Sequence, residues 1–200
     1  LYTSLEAIEI DRLEKNGYKT NKTGFEFGTT FEYYNDFNLG FSTRSFYEKI
    51  DTDSTASARQ QSQEGNYWDS FLQFNFDYDK RNQKFRTDDG FRSNYSIDIP
   101  IISDTYTLTN TYSYKYFTSF YENNISSLAI FLKSANSIGD KDIKLTERIF
   151  LPSRKLRGFE RGKVGPKDGD DFIGGNFATS VNFNTTIPGI FQNVQNLDAS

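Results

Sequence analysis

Residues 24–44 read GFEFGTTFEYYNDFNLGFSTR, and this stretch decides the fold class. Up to position 33, the odd positions carry Phe, Tyr or Thr, and the even positions carry Gly, Glu or Thr. A period of two places one kind of side chain on each face of an extended strand. The pair Asn35-Asp36 is typical of a tight turn, and the alternation resumes after it up to position 44. The stretch therefore predicts an antiparallel hairpin with one aromatic and one polar face.

The same alternation recurs along most of the chain. Beyond the hairpin it predicts strands within 68–79, 94–101, 106–116, 128–132 and 177–187, and a weaker strand over 1–10. The polar faces carry Asn, Ser, Thr and Asp, as in a hydrated lumen, and the apolar faces carry Tyr toward the strand ends, as in interfacial girdles. The pattern predicts an all-β, antiparallel transmembrane β-barrel of which about eight strands are present, without a helix. A soluble antiparallel sandwich stays open as the alternative.

Connections of unequal length favour the barrel. The stretch 50–67 is long and rich in Ser, Gln, Asp and Thr, whereas 34–36 is tight and 86–90 ends in an Asp-Gly turn signal. Long loops on one side and mostly short turns on the other are typical of a transmembrane barrel. No apolar run is long enough for a transmembrane helix, and strands of about 9–11 residues cross a membrane instead.

Composition excludes most catalytic sites. With no His and no Cys, the chain has no Ser-His or Cys-His nucleophile pair and no imidazole or thiolate metal ligand. Asp168, Asp170 and Asp171 lack the loop and terminal Glu of a calcium site. A net charge of -4 argues against nucleic-acid binding, which needs a concentrated basic surface. We expect no enzyme activity, no cofactor and no metal.

Hydropathy and the absence of Met complete this picture. The chain is 36% hydrophobic and 17% aromatic, yet its mean hydropathy is -0.69, so apolar and polar residues are finely interleaved. Disordered chains are poor in aromatics, which makes disorder a poor interpretation. Because position 1 is Leu and the chain has no Met, we expect an internal segment of a longer protein.

Between positions 136 and 174 the alternation stops in a Gly-rich and charge-rich stretch. A loop of this length is usually functional or disordered, and its apolar residues indicate that it packs against something. It contains three short motifs: Leu156-Arg157-Gly158-Phe159, Val164-Gly165-Pro166 and Gly174-Gly175-Asn176.

These motifs resemble the conserved sixth extracellular loop of BamA-type barrels, which folds back into the barrel lumen and carries an Arg-Gly-Phe tip. Upstream, Asp89-Gly90-Phe91-Arg92 resembles the family's short periplasmic turn. Arginine suits such a tip because its rigid fork of donors can bind a carboxylate bidentately. The resemblance covers nearly the whole chain. It implies a single partial barrel domain over 1–200, holding strands five to twelve of sixteen, with a lumen-directed loop about 138–174.

The resemblance also implies function and partners. BamA-type barrels are integral to the outer membrane of Gram-negative bacteria, where they help unfolded client barrels to fold and insert without enzymatic chemistry. Implied partners are these clients, outer-membrane lipids, and assembly-complex lipoproteins that would bind through POTRA domains missing from this chain. Alternatives are a related translocation barrel for autotransporter assembly or two-partner secretion, and a small porin-like or structural outer-membrane barrel.

The chain departs from the family's pattern in two places. Where relatives carry a Gly-Gly pair shortly before the tip, it has Pro152-Ser153. In the family the tip Arg contacts an acidic residue in an Asp-x-Gly motif on the following strand. The stretch Asn196-Leu197-Asp198-Ala199-Ser200 matches this motif poorly, so we expect the partner just past Ser200, with Asp198 as the alternative.

Overall fold

A computed structural model describes residues 1–12, 17–121, 124–160, 162–169 and 171–186. Eight long strands form one sheet, and their bounds are as follows: β1 Tyr2–Arg12, β2 Tyr18–Tyr34, β3 Phe37–Thr52, β4 Gly65–Asp79, β5 Gly90–Ile102, β6 Thr107–Thr118, β7 Ser126–Ser137 and β10 Phe177–Thr185. Between β7 and β10, a small hairpin pairs β8 (Lys167–Asp168) with β9 (Asp171–Phe172).

The sheet follows chain order, β1 to β7 and then β10, and all neighbouring strands are antiparallel. Strands β1 and β10 stand at its two edges, so the sheet is open. This confirms the predicted all-β, antiparallel fold of about eight strands. It counts against the small closed barrel, which would need those edges to pair.

Helical structure is limited to two short pieces. Helix α1 (Ala58–Gln61) is one turn between β3 and β4, and its N-terminus is closed by a capping box of Ser57 and Gln60. A 3-10 turn covers Leu145–Glu147. Neither of these described helices has the length and apolar character needed to span a membrane.

The connections fall at two ends of the sheet. Segments 53–64, 103–106 and 138–176 join strands at one end, which we call the first end, and 35–36, 80–89 and 119–125 join them at the second end. The connection 80–89 is longer than the tight turn expected from the Asp-Gly pair. Its residues bond to one another, for example Thr87 Oγ1 to the carbonyl of Gln83 at 2.6 Å, and the pair only ends the loop.

The register separates the two faces as the alternation predicts. One face, here the outer face, carries the aromatic and aliphatic residues Phe25, Phe27, Phe31, Phe74, Phe76, Ile97, Ile99 and Val181. The opposite, inner face carries Glu26, Glu32, Asn75, Asp77, Asp98 and Asn182. Many outer aromatic side chains stay exposed, with Phe25 and Phe31 at 49% and 50%. The outer face therefore has no protein cover among the described residues.

Segment 138–176, which we call the long loop, covers the inner face instead. Its residues Ile143 and Ile149 form a small buried cluster with Ala135 of β7 and Ala178 of β10. The apolar packing of this chain thus lies between the sheet and its own loop.

Candidate functional site

The long loop is closed at its base by a pair of backbone hydrogen bonds. The amide of Ile149 donates to the carbonyl of Gly175 at 2.8 Å, and the amide of Gly175 donates back at 3.0 Å. Gly174 adopts φ +73°, and a Cβ there would lie 2.9 Å from the ring of Phe150. Glycine is therefore required at this crossing.

A buried lysine joins the base of the loop, residues 142–149, to the barrel wall. The side chain of Lys144 is 1% exposed, and its Nζ donates to Oδ2 of Asp69 on β4, itself 0% exposed. Two more carboxylate oxygens lie close to Nζ: Glu48 Oε2 of β3 at 3.7 Å and Glu147 Oε1 at 3.8 Å. The ring of Tyr67 lies 4.8 Å from Nζ. We call Lys144, Glu48, Asp69 and Glu147 the Lys144 cluster.

Threonine hydroxyl groups donate hydrogen bonds to two of the carboxylates in this cluster. Glu147 Oε2 accepts from Thr105 Oγ1 at 2.9 Å and from Thr107 Oγ1 at 2.5 Å. Glu48 accepts from Thr20 at 3.0 Å and from Thr146 at 3.1 Å. Asp69 Oδ1 and Glu147 Oε1 are buried without a hydrogen-bond partner among the described residues.

Burial and charge compete at this cluster. Burial disfavours the ammonium of Lys144, but the charges of Glu147, Asp69 and Glu48 and the hydrogen bond to Asp69 outweigh it, so the pKa of Lys144 is raised. Burial raises the pKa of Glu147, although the charge of Lys144 and the two threonine hydroxyls oppose it.

The α1 loop, residues 53–64, holds the same base from the other side. Gln63 Oε1 accepts from the amide of Leu145 at 2.7 Å, and its Nε2 donates to the carbonyl of Ile143 at 3.3 Å. Arg59 bonds to Asp142 at 3.1 Å. The base is therefore clamped between the α1 loop and the inner face.

The chain that leads to the tip, Arg157-Gly158-Phe159, runs down the inner face of β7 and β10. Asn182 Nδ2 donates to the carbonyl of Lys155 at 3.1 Å, and Lys155 Nζ lies 4.8 Å from the ring of Phe131. Burial, and then the charge of Arg154, lower the pKa of Lys155. The inner face thus positions the chain just ahead of Arg157.

The tip residues themselves are exposed. Arg157 has no ion pair or hydrogen bond within the part of the chain that the structure describes, and Phe159 is 60% exposed. Gly158 and Gly165 adopt φ +83° and +130°, in the region that favours glycine. Asp198, the alternative partner for Arg157, lies outside the described residues.

The turn motif Asp89-Gly90-Phe91-Arg92 lies at the second end and is held by close contacts. Gly90 adopts φ +95°, and a Cβ there would lie 2.1 Å from the carbonyl oxygen of Lys80. Arg92 binds Asp77 through two hydrogen bonds of 2.8 and 3.0 Å. The amide of Asp89 donates to Asn82 Oδ1 at 3.4 Å.

A family model described as the Omp85 superfamily domain matches residues 2–198. The chain belongs to the Omp85 superfamily. Its fold is similar to the crystal structure of BamA from Haemophilus ducreyi lacking POTRA domains 1-3, with a TM-score of 0.80 and 18% sequence identity. The match covers 96% of this chain and 42% of that one, so the chain spans less than half of that protein. No curated protein matches the chain.

Membership confirms the resemblance to BamA-type barrels. The fold match likewise confirms that the described strands belong to an outer-membrane β-barrel fold. Among its described residues, no group of three or more acidic side chains is arranged to hold a metal ion.

The structure brings together only some of the residues that the motifs of this Omp85 chain pointed to. Gly174 and Gly175 meet at the base, where the carbonyl of Asn176 accepts from Ala135 at 2.8 Å. Pro166 adjoins them through its carbonyl, which accepts from Ile173 at 3.1 Å. The tip residues lie apart from this base, and the turn motif lies at the second end.

The Lys144 cluster was missed from the sequence. A usable signal was present, since Lys144 stands between the apolar residues Ile143 and Leu145. Alternation of this kind puts a lysine on a different face from its neighbours, but does not show what it meets. The α1 capping box, Ser57 to Gln60, was also a readable signal.

Proposed function

We propose that this chain is the central part of an outer-membrane barrel that helps client β-barrel proteins fold and insert, with the long loop as an internal brace. The observation that supports the proposal is the long loop packed on the inner face, with its Arg-Gly-Phe tip carried down that face. In the whole protein, residues 1–200 would form one partial barrel domain, with residues about 138–174 inside the lumen.

The physical task of such a barrel is to handle unpaired strand edges. Each unsatisfied backbone group in lipid costs several kcal/mol. A barrel with an openable seam offers a temporary edge to which an incoming strand can pair. Folding of the client itself releases free energy, so the proposal requires no nucleotide, metal or other cofactor.

In this proposal Arg157 binds a carboxylate on the wall that faces the tip. Arg157 is exposed and has no ion pair or hydrogen bond among the described residues, so its guanidinium is available for such a partner. Its guanidinium stays charged and forms a rigid fork that matches a carboxylate, and lysine supplies only the charge. Gly158 permits the close turn, and Phe159 would wedge against the same wall.

The expected partners follow from the two faces and from the family. The aromatic outer face would contact outer-membrane lipid, and client barrels would engage the seam. Assembly lipoproteins would bind upstream POTRA domains, in the outer membrane of a Gram-negative bacterium. The net charge of -4 gives no basis for a nucleic-acid partner.

Replacing Arg157 tests the proposal in the full-length protein. We expect Arg157→Ala to lower the levels of client barrels in the outer membrane and to make the long loop sensitive to protease. The reason is that removing one partner of a desolvated ion pair costs about 3–5 kcal/mol. Arg157→Lys should recover only part of both losses. The measurements are quantitative immunoblots of outer-membrane barrels and limited proteolysis of intact cells.

Lys163→Ala is the matched control. Lys163 lies in the same loop and forms an exposed ion pair with Glu160 at 3.0 Å, a kind of pair that contributes about 0–1 kcal/mol. The control should leave both readouts unchanged. If Arg157→Ala and Lys163→Ala behave alike in both assays, the proposed role of the tip is wrong.

A further inference from the structure

We propose that Lys144 keeps the base of the long loop seated on the barrel wall by supplying the counter-charge of the buried wall carboxylates, independently of the tip at Arg157. The inference goes beyond the proposed function, because it concerns how the loop is held, whatever the barrel acts on.

The charges of the cluster support this assignment. Strands β3 and β4 bring Glu48 and Asp69 to the inner face, where they are 3% and 0% exposed. Glu147 joins them from the loop itself. Among the described residues, Lys144 is the one cation within 4.0 Å of these three carboxylates. Lys22, opposite Glu48 in the β2–β3 register, is a second cation for Glu48. Without Lys144, the buried Asp69 and Glu147 would have no cation within 4.0 Å among the described residues, which is strongly unfavourable.

The cluster also links two separate parts of the molecule, the barrel wall and the long loop. Glu48 and Asp69 belong to the wall, whereas Lys144 belongs to the loop, so their contact holds the two parts together. On the opposite side, Gln63 of the α1 loop bonds to the backbone on both sides of Lys144. The base therefore has partners on two sides.

Among the described residues, no hydrogen bond or ion pair of the base involves the tip residues Arg157, Gly158 and Phe159. The polar contacts of the base run to β3, β4, β6 and the α1 loop, and its apolar residues Ile143 and Ile149 pack on Ala135 and Ala178. The chain just ahead of the tip is held by other side chains, Asn182 of β10 and Phe131 of β7. We therefore expect the base to stay seated when the tip is released.

A single cysteine can report on the base, since the chain has none of its own. Ile143 is 1% exposed, so Ile143→Cys in the full-length protein in membranes should react slowly with a water-soluble maleimide. Adding Lys144→Met should raise the labelling rate by at least about tenfold. Lys141→Met, which removes an exposed charge from the same loop, should leave the rate unchanged.

A second variant separates charge from packing. Adding Glu48→Gln and Asp69→Asn to Lys144→Met removes the two carboxylates of the wall, and leaves only Glu147, which accepts hydrogen bonds from Thr105 and Thr107. We expect this triple variant to return most of the protection. Loss of side-chain packing alone would not be repaired in this way. If Lys144→Met labels like Lys141→Met, or if the triple variant labels as fast as Lys144→Met, the inference is overturned.

Gel mobility without heating shows which variants form a folded barrel. If Lys144→Met does not fold, the triple variant decides. A triple variant that folds and whose cysteine at position 143 stays protected supports the inference, and one that also fails to fold overturns it. Arg157→Ala should leave labelling of Ile143→Cys unchanged, and fast labelling there would refute independence from the tip. None of these readouts measures client assembly, so failure of the proposed function would be seen separately.

Discussion

Lys144 and Glu147 show how one buried site shifts two groups in the same direction. A buried lysine usually has a lowered pKa, but the surrounding carboxylates raise the pKa of Lys144. Burial raises the pKa of Glu147 despite the nearby ammonium. Glu48 and Asp69 approach the same ammonium from the wall. Three carboxylates thus share one cation, and protonation of Glu147 relieves part of the excess negative charge.

The raised pKa of Glu147 predicts that the base is held more tightly at mildly acidic pH. A carboxyl group whose pKa is higher in the folded state stabilises that state below its ordinary value of 4.5, and the stabilisation is lost as pH rises through the folded value. The raised pKa of Lys144 contributes stability that is fully present below its ordinary value of 10.5, so it adds no pH dependence in the acidic range. A spin label at Lys141→Cys should therefore become more mobile as the pH rises above the ordinary value of 4.5 and through the folded pKa of Glu147.

Glu147→Gln provides the control for this pH dependence, because Gln resembles the protonated carboxyl group. In that variant the mobility of the label should change little with pH. A wild-type label that becomes less mobile as pH rises would contradict the assignment to Glu147.

At this scale, sequence and resemblance located only half of the site. The tip was found because Arg157, Gly158 and Phe159 form a compact motif within a loop. Lys144 was missed because its wall partner Asp69 lies 75 residues earlier in the chain. A period of two shows which face of a strand a residue lies on. It does not show which strand a loop residue contacts.

Strand β2 shows what the alternation does and does not reveal about an element. Its aromatic outer positions, from Phe25 onward, were predicted, but the strand begins at Tyr18. Between these points the outer face carries polar residues, and Lys19 bonds to Glu9 of β1 at 2.6 Å. With both faces polar, the contrast that signals a strand disappears. We infer that the lipid-facing band of β2 begins near Phe25.

Neighbouring positions of β4 should report opposite environments. Phe74 lies on the outer face, 5.3 Å from the ring of Phe41, and Asn75 lies on the inner face and accepts from Asn94 at 3.0 Å. Spin labels at Phe74→Cys should be relaxed mainly by oxygen, which partitions into lipid, and labels at Asn75→Cys mainly by a water-soluble nickel chelate. Equal responses at the two sites, in the full-length protein in bilayers, would mean that the outer face does not meet lipid.

At the scale of the whole molecule, the sheet ends in two unpaired edges. Strands β1 and β10 have partners on one side only, and an exposed strand edge invites pairing with other chains. Closing a barrel requires a strand number, tilt and stagger that agree with one another. The described strands match less than half of a longer chain with the same fold.

We therefore predict that residues 1–200 alone, refolded into detergent, do not yield a monomeric barrel whose gel mobility changes on heating. Exposed edges should instead give aggregates or oligomers, detectable by size-exclusion chromatography with light scattering. The full-length barrel, refolded in parallel, serves as the control. A heat-modifiable monomer from the 200-residue segment would show that its edges can pair with each other.

The bonds between Ile149 and Gly175 have a consequence for how the loop can evolve. These bonds close residues 149–175 into a ring, whose two ends stay together whatever the sequence between them. For a flexible ring, doubling the number of residues costs only ~0.6 kcal/mol of closure entropy. Insertions and deletions in the tip are therefore thermodynamically cheap, whereas changes at Gly174 are not. Descendants of this barrel can remodel the tip in length and sequence while inheriting its attachment point intact.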